Sequence, residues 1–155
     1  MTIHYLVAPD IDRKTLMPLF LLGDDDQAKV AAYYQTGTLV VAQSEAKIVG
    51  LALLVADDTA DTVELKNIAV SPTYQGQQIG THLVQVALQA MASTYTTMIV
   101  GTGDADVANI RFYLKNGFRF IGVKKGFFLS YAKPIMVDGI ALQDMVMLGQ
   151  TLRKA

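Results

Sequence analysis

A loop within residues 64–81 carries the residue types of an anion-binding site. The segment reads ELKNIAVSPTYQGQQIGT; its extended apolar part ends at Ser71-Pro72, and an amphipathic helix begins directly after Gln75-Gly76-Gln77-Gln78-Ile79-Gly80. A loop that leads from a strand into a helix N-terminus exposes unpaired backbone N–H groups, and the helix dipole adds partial positive charge there. The spacing therefore predicts a cradle for an anion such as phosphate.

A second pair of polar residues, Asn109 and Tyr113, lies four positions apart in a segment with helical spacing. On a helix, side chains at this spacing lie one above the other along one edge. An amide and a phenol aligned in this way can serve a single ligand. Val107, Ile110 and Leu114 are expected to form the buried stripe of the same helix.

The elements that position these residues follow from the periodicity of apolar side chains. Pro18 is expected to break or kink the first helix. Three successive strands within residues 38–70 predict an antiparallel meander, and the strand–helix–strand unit after them predicts a parallel crossover. Strands are expected at 2–8, 38–43, 48–56, 62–70, 97–100, 118–123 and 142–148, and helices at 11–22, 24–34, 78–92 and 104–116.

Two further features have both a structural and a functional interpretation. The run Asp24-Asp25-Asp26 is typical of a solvated helix start, and recruitment of a cationic substrate is the alternative. His82 falls on the polar face of its helix, which favours an exposed surface histidine over a catalytic base.

The composition excludes several classes of protein. A chain of 155 residues, 52% hydrophobic and 17% charged, fits one globular domain of mixed α/β class. The net charge of −1 argues against nucleic acid as a partner, and the absence of Cys excludes disulfides, thiolate metal sites and cysteine nucleophiles. We expect no bound metal. We also expect no membrane-spanning segment, because the apolar runs fall far short of roughly 20 residues. With no signal peptide visible, a cytoplasmic monomer or homodimer is expected.

The order of elements and two motifs resemble the GNAT superfamily of acyl-coenzyme A-dependent N-acetyltransferases, in particular its uncharacterised bacterial members. The pyrophosphate loop of that family, Gln or Arg, two residues, Gly, one residue, then Gly or Ala, resembles residues 75–80. The segment NIRFYLKNGF, residues 109–118, is similar to the family's Asn, aromatic–Tyr pair and Gly-Phe. The likeness covers about residues 37–123 and, more loosely, the whole chain.

The resemblance implies the fold as well as the activity. The GNAT fold is a mixed, mostly antiparallel sheet of about seven strands, flanked by about four helices, with the fourth and fifth strands splayed apart. We expect residues 1–155 to form one such domain. The implied reaction transfers an acetyl group from acetyl-CoA, the co-substrate, to a primary amine of a small molecule or peptide by direct attack in a ternary complex.

The resemblance also implies roles for individual residues. Tyr113 would act as the general acid near the coenzyme sulfur, and Glu64 as the base, unless ordered water serves instead. A backbone N–H near Ile68 to Val70 would stabilise the oxyanion. The residues implied to bind the coenzyme are Ile68, Ala69, Val70, Gln75, Gly76, Gln77, Gln78, Ile79, Gly80, Thr81, Asn109 and Tyr113.

Gln78 departs from the family pattern, which has glycine at this position. A Cβ there crowds the pyrophosphate only if the residue needs a positive φ or a very close approach. If Gln78 adopts ordinary helical φ and ψ, its N–H still points at the ligand. We therefore expect the residue to be tolerated, with weaker affinity for the coenzyme.

Two nucleotide-binding functions fit the residues less well than acetyl transfer. Gly101-Thr102-Gly103 follows a strand as in dinucleotide-binding proteins, but Asp106 occupies the third glycine position and too few residues remain for such a domain. A Walker-type site fails because no Lys follows Gly80. A non-catalytic acyl-CoA-binding or sensing protein of the same fold remains open. The acceptor cannot be read from the sequence; Tyr131 either lines its pocket or packs in the tail.

Overall fold

The computed structural model describes residues 2–153, which contain nine β-strands and four α-helices. The helices are α1 (Met17–Gly23), α2 (Gln27–Tyr33), α3 (Ile79–Met91) and α4 (Val107–Lys115). The strands are β1 (Ile3–Val7), β2 (Thr38–Ser44), β3 (Lys47–Ala56), β4 (Thr62–Val70), β5 (Thr97–Gly103), β6 (Arg119–Lys124), β7 (Met136–Val137), β8 (Ile140–Ala141) and β9 (Met145–Thr151).

Seven of these strands form one sheet in the order β1-β2-β3-β4-β5-β9-β6. All neighbours are antiparallel except β4 and β5, which run parallel because α3 crosses between them. The mixed, mostly antiparallel sheet, the meander and the parallel crossover are thereby confirmed. The last strand, β9, lies between β5 and β6 rather than at the edge, and β7 and β8 form a separate hairpin.

Apolar residues cover both faces of this sheet. In β2, Leu39 and Val41 pack with α1 and α2, whereas Val40 and Ala42 pack with α3. This division follows from the pleat, which sends successive side chains to opposite faces. The sheet therefore has helices on both sides, as a two-sided apolar sheet requires.

Local signals explain where three of the helices begin. Pro18 lies in the first turn of α1, after a short 3-10 turn at Arg13–Leu16, so it starts the helix instead of breaking it. Asp26 caps α2 by accepting a hydrogen bond from the Lys29 N–H at 3.1 Å. Asp106 caps α4 in the same way through the N–H of Asn109.

The buried stripe expected for α4 is wrong. Val107 is 69% exposed and Leu114 is 36% exposed, whereas Tyr113 is only 4% exposed. The Tyr113 ring packs edge-to-face against Phe112 and Phe118, at centroid distances of 5.4 and 5.8 Å. The large aromatic surface thus determines which face of this short helix is buried.

The strands β4 and β5 separate after a short paired stretch. Their register joins only Thr62–Glu64 to Thr97–Ile99, and further along β4 stays with β3 while β5 stays with β9. A bulge in β4 at Lys66 shifts its pairing with β3 at the same level. The splay of the fourth and fifth strands is confirmed, and it opens a gap in the middle of the sheet.

Within residues 2–153, no helix is long and apolar enough to span a membrane.

Candidate active site

The loop between β4 and α3 has two residues in the left-handed region. Gly76 has φ 79°, and Gln78, the N-cap of α3, has φ 66° and ψ 13°. The condition for easy tolerance, ordinary helical φ and ψ at Gln78, is therefore not met. In this backbone conformation, a residue with a Cβ is strained by roughly 1–2 kcal/mol compared with glycine. The chain accepts this strain at the helix start, which is where the family has glycine.

The first turn of α3 offers unpaired N–H groups to this loop. The first amide that bonds within the helix is His82, whose N–H donates to the Gln78 carbonyl at 3.0 Å. The N–H groups of Ile79, Gly80 and Thr81 therefore lack a partner in the helix itself. The Gln78 side chain makes no capping bond, so it leaves these donors free. This is the geometry expected of an anion cradle.

A cavity of about 530 Å³ lies against this turn, and we call it the loop cavity. Gln75 fixes one side, since its side-chain amide donates to the Val70 carbonyl at 3.0 Å and ties the loop to the end of β4. Gln77 has an exposed side chain and is absent from the lining. The predicted residues that line the loop cavity are Ile68, Ala69, Val70, Gln75, Gly76, Gln78, Ile79, Gly80, Thr81 and Asn109.

A second cavity, of about 380 Å³, lies in the gap between β4 and β5, and we call it the acidic cavity. Its walls come from the α1–α2 loop, both splayed strands, α4 and the segment after β6. Leu22, Ile68 and Asn109 line both cavities, so the two meet at these residues. Four acidic residues, Asp24, Asp25, Glu64 and Asp106, line the acidic cavity.

Tyr113 and Asn109 lie on the wall of the acidic cavity, as their helical spacing predicts. Burial, with a smaller contribution from the negative charge of Asp106, raises the pKa of the Tyr113 phenol far above its ordinary value of 10.0. The phenol therefore carries its proton at neutral pH. The Asn109 amide donates to the hydroxyl of the buried Thr102 at 3.4 Å.

Glu64 occupies the last paired position between β4 and β5 and faces the acidic cavity. Its side chain is 17% exposed, and Oε1 lies 3.9 Å from Nζ of Lys66. The Lys66 ammonium also lies over the Tyr33 ring, 5.4 Å from its centroid. The carboxylate thus lies beside the gap between β4 and β5.

A hydrogen-bonded group that the motifs do not indicate lies beside the acidic cavity, which Asp24, Asn67 and Tyr131 line. The buried Asn67 donates through Nδ2 to the Phe20 carbonyl and to the Tyr33 hydroxyl, both at 2.9 Å. Tyr33 donates to Oδ2 of Asp24 at 3.1 Å, and Tyr131 donates to Oδ1 of the same residue at 3.4 Å. Two residues of the acidic run therefore have different roles. Asp26 caps α2, whereas Asp24 lines the acidic cavity.

Signals for this group were present in the sequence. Asn67 opens the family-like segment Asn67–Pro72, and a polar amide in an apolar strand is unusual. The sequence allows either a packing or a lining role for Tyr131, and in the structure Tyr131 lines the cavity. The sequence does not show that these residues, which are far apart in the chain, form hydrogen bonds with one another.

No cluster of three or more His, Cys, Asp or Glu side chains among residues 2–153 has an arrangement suited to a metal ion.

The glycines of the segment Gly101-Thr102-Gly103 have a structural explanation. All three residues lie within β5, where a Cβ on Gly101 would stand 2.3 Å from the sulfur of Met145. A Cβ on Gly103 would stand 2.5 Å from the Leu142 side chain. These glycines let β9 and the preceding loop pack against β5, in place of a phosphate loop.

Comparison with known proteins identifies close relatives of this arrangement. The sequence model of the Acetyltransferase (GNAT) family matches residues 9–118. The uncharacterised N-acetyltransferase YvbK of Bacillus subtilis is 33% identical over 135 residues, covering 86% of each chain. An acetyltransferase of Bacillus subtilis solved with CoA has a TM-score of 0.88 at 28% identity, covering 98% of this chain and all of the other. A GNAT acetyltransferase of Elizabethkingia anophelis with acetyl-CoA bound has a TM-score of 0.84 at 33% identity, covering 97% of each.

Proposed function

The chain belongs to the GNAT acetyltransferase family, and on that premise we propose that it transfers the acetyl group of acetyl-CoA to a primary amine of a small molecule or peptide. Both substrates would be bound together, one in each of the two cavities. The observation that carries this proposal is that the loop cavity and the acidic cavity meet in the gap between β4 and β5. We further propose that residues 1–155 act as one domain, since a single sheet runs through both halves of the described chain. This domain would act as a monomer or homodimer.

The loop cavity fits the coenzyme through backbone donors. The free N–H groups of Ile79, Gly80 and Thr81 at the positive end of α3 suit the pyrophosphate, and Gly76 leaves the loop open where a side chain would stand. The unpaired edge of β4 near Ile68 to Val70 suits the amides of the pantetheine arm. When bound, acetyl-CoA supplies an acyl group activated as a thioester. Two relatives of similar structure were solved with CoA or acetyl-CoA bound, which supports this assignment.

We assign Tyr113 as the general acid. Its phenol lies on the cavity wall, holds its proton at neutral pH and forms no hydrogen bond with the part of the chain that the structure describes. A proton on Oη that no neighbouring group accepts is available to a departing sulfur. Asn109, which lines both cavities, would orient the arm of the coenzyme between them.

We assign Glu64 as the base that takes a proton from the attacking ammonium, directly or through a water molecule. Its carboxylate faces the acidic cavity beside the splay, and Lys66 at 3.9 Å holds it in place. A backbone N–H of β4 near Ile68 to Val70 would donate to the developing oxyanion, because β5 has left this edge free.

Thiol release tests this function. The purified protein is incubated with acetyl-CoA and a panel of primary amines, amino acids and peptide N-termini, and free thiol is measured against a control without acceptor. Acetyl-CoA binding is measured separately by calorimetry. Amine-dependent thiol release supports the proposal. Tight binding with no release for any amine would instead support the alternative function, a non-catalytic acyl-CoA-binding or sensing protein.

A further inference from the structure

Asp24 is a partly buried carboxylate that no cation neutralises. Its oxygens accept hydrogen bonds from the Tyr33 and Tyr131 hydroxyls and from the backbone N–H of Asp26. No Lys or Arg nitrogen among residues 2–153 lies within 4.0 Å of it. A carboxylate removed from water in this way favours a positively charged partner.

The lysines around the acidic cavity are occupied elsewhere. Lys66 pairs with Glu64 at 3.9 Å. The pKa of Asp57, which is absent from the cavity lining, is lowered first by the backbone N–H of Thr59 and to a smaller extent by the charge of Lys124. Lys29 packs its ammonium over the Tyr131 ring, 4.6 Å from the centroid, and is also absent from the lining. With Asp24, Asp25, Glu64 and Asp106 against Lys66 and Lys124, the titratable lining carries an excess of negative charge.

Two observations besides the carboxylates point to a donor ligand at this wall. Asn67 is only 3% exposed, lines the acidic cavity, and its Oδ1 accepts no hydrogen bond. That oxygen lies against Gly23, where an added Cβ would stand 2.0 Å from it. Burial first, and then the charges of Asp24 and its acidic neighbours, raise the pKa of the Tyr131 phenol, so the wall is a region of negative potential.

Resting on the proposed acetyl transfer, we propose that Asp24, positioned by Tyr33 and Tyr131, binds a second cationic group of the acceptor. The acceptors would then be linear diamines or polyamines, with one amine at the thioester and another ammonium at Asp24. The Asn67–Tyr33–Asp24 hydrogen bonds hold the carboxylate in one orientation, so the second ammonium is recognised by position as well as by charge.

Matched acceptors test this inference in the wild-type protein. The fourth carbon from the reacting amine bears an ammonium in putrescine, is a methyl group in butylamine and is the carboxylate carbon in 4-aminobutyrate; longer diamines and spermidine extend the series. We expect the best diamine to exceed its matched monoamine in kcat/KM by about ten- to hundredfold, the range of one charge-assisted hydrogen-bonded contact. The anionic analogue should be the poorest.

Variants then locate the effect. Asp24→Asn should lower kcat/KM for the diamine about tenfold or more beyond any change for butylamine, which removes the preference. Tyr131→Phe should weaken the preference less, because it removes a single donor to the carboxylate. Asp58→Asn is the matched control; it deletes the same charge from an exposed turn outside both cavities and should leave the preference intact.

Binding provides a readout that does not depend on turnover. Calorimetry with putrescine or spermidine, in the presence of CoA, should show binding to the wild type and loss of binding in Asp24→Asn, with CoA affinity and the circular dichroism spectrum unchanged. Thiol release with monoamines or 4-aminobutyrate equal to that with diamines would overturn the inference and leave the proposed function standing. Diamine binding that depends on Asp24, without thiol release for any amine, would retain the inference and overturn the function. Equal diamine affinity in Asp24→Asn and wild type would overturn the inference in either case.

Discussion

The substitution Tyr113→Phe separates proton donation from packing at the site. The ring of Tyr113 is 4% exposed and packs between Phe112 and Phe118, and phenylalanine preserves both contacts. Only the hydroxyl is lost, and it makes no hydrogen bond with the part of the chain that the structure describes. The change therefore removes the proposed proton without creating a cavity.

The magnitudes follow from these contacts. Loss of a positioned general acid lowers a rate by about 10²- to 10⁴-fold, which corresponds to roughly 3–5 kcal/mol of transition-state stabilisation. The free energy of unfolding should stay within about 1 kcal/mol of wild type, because the hydroxyl lines the cavity and the ring contacts are kept. Acetyl-CoA affinity should change by no more than about twofold, since the phenol is assigned to the leaving sulfur rather than to binding.

The assay combines three measurements on the same preparation: kcat from thiol release, acetyl-CoA affinity from calorimetry and unfolding in urea. Tyr95→Phe is the matched control, because Tyr95 packs against the core but lines neither cavity. A kcat within about threefold of wild type would remove Tyr113 from the mechanism. A parallel loss of kcat and coenzyme affinity would assign the phenol to positioning and refute the general-acid role.

Three further predictions concern backbone geometry and pH. Gln78→Gly should raise the free energy of unfolding by about 0.5–1 kcal/mol in urea, since glycine relieves the left-handed strain at φ 66°, and should retain or tighten coenzyme binding. Gly23→Ala should lower it by about 1–3 kcal/mol and impair amine turnover, because the new Cβ would stand 2.0 Å from Oδ1 of Asn67. The free energy of unfolding should fall as pH rises above about 10, because the raised pKa of Tyr113 in the folded chain makes the unfolded chain release this proton first. In Tyr113→Phe, the slope of the unfolding free energy against pH should be shallower by up to about 1.4 kcal/mol per pH unit.

Each of these has an outcome that contradicts it. A destabilised Gln78→Gly variant would show that this side chain stabilises the loop by more than its backbone strain costs. Wild-type stability and turnover in Gly23→Ala would show that α1 moves freely over β4. Identical pH slopes for wild type and Tyr113→Phe, measured by urea unfolding between pH 9 and 11, would mean that the phenol titrates alike in folded and unfolded chains.

Much of the site was predictable because its parts are local in sequence. The turn from strand to helix at Gln75 to Gly80 follows from turn residues and apolar periodicity. The shared wall of Asn109 and Tyr113 follows from four-residue spacing on a helix. The roles of these residues as coenzyme and catalytic groups stay predictions until they are tested.

Errors arose where packing overrode local pattern. Aliphatic periodicity predicted that Val107 and Leu114 are buried, but the aromatic rings around Tyr113 determined how α4 lies on the sheet. Gln78 could not be assigned its backbone conformation, because glutamine ordinarily adopts negative φ and only the fixed ends of β4 and α3 impose the positive value.

The sequence by itself determined the family, the order of the elements and the turn from β4 into α3, since each depends on neighbouring residues and on periods of two or 3.6. Only the tertiary structure decided that β9 lies between β5 and β6, and that Asp24, Tyr33, Asn67 and Tyr131 are joined by hydrogen bonds. Asp24 and Tyr131 are 107 residues apart in the chain, and no local preference of either residue encodes their hydrogen bond. Such pairings result from many weak contacts summed over the whole core, so they are decided only when the chain is packed.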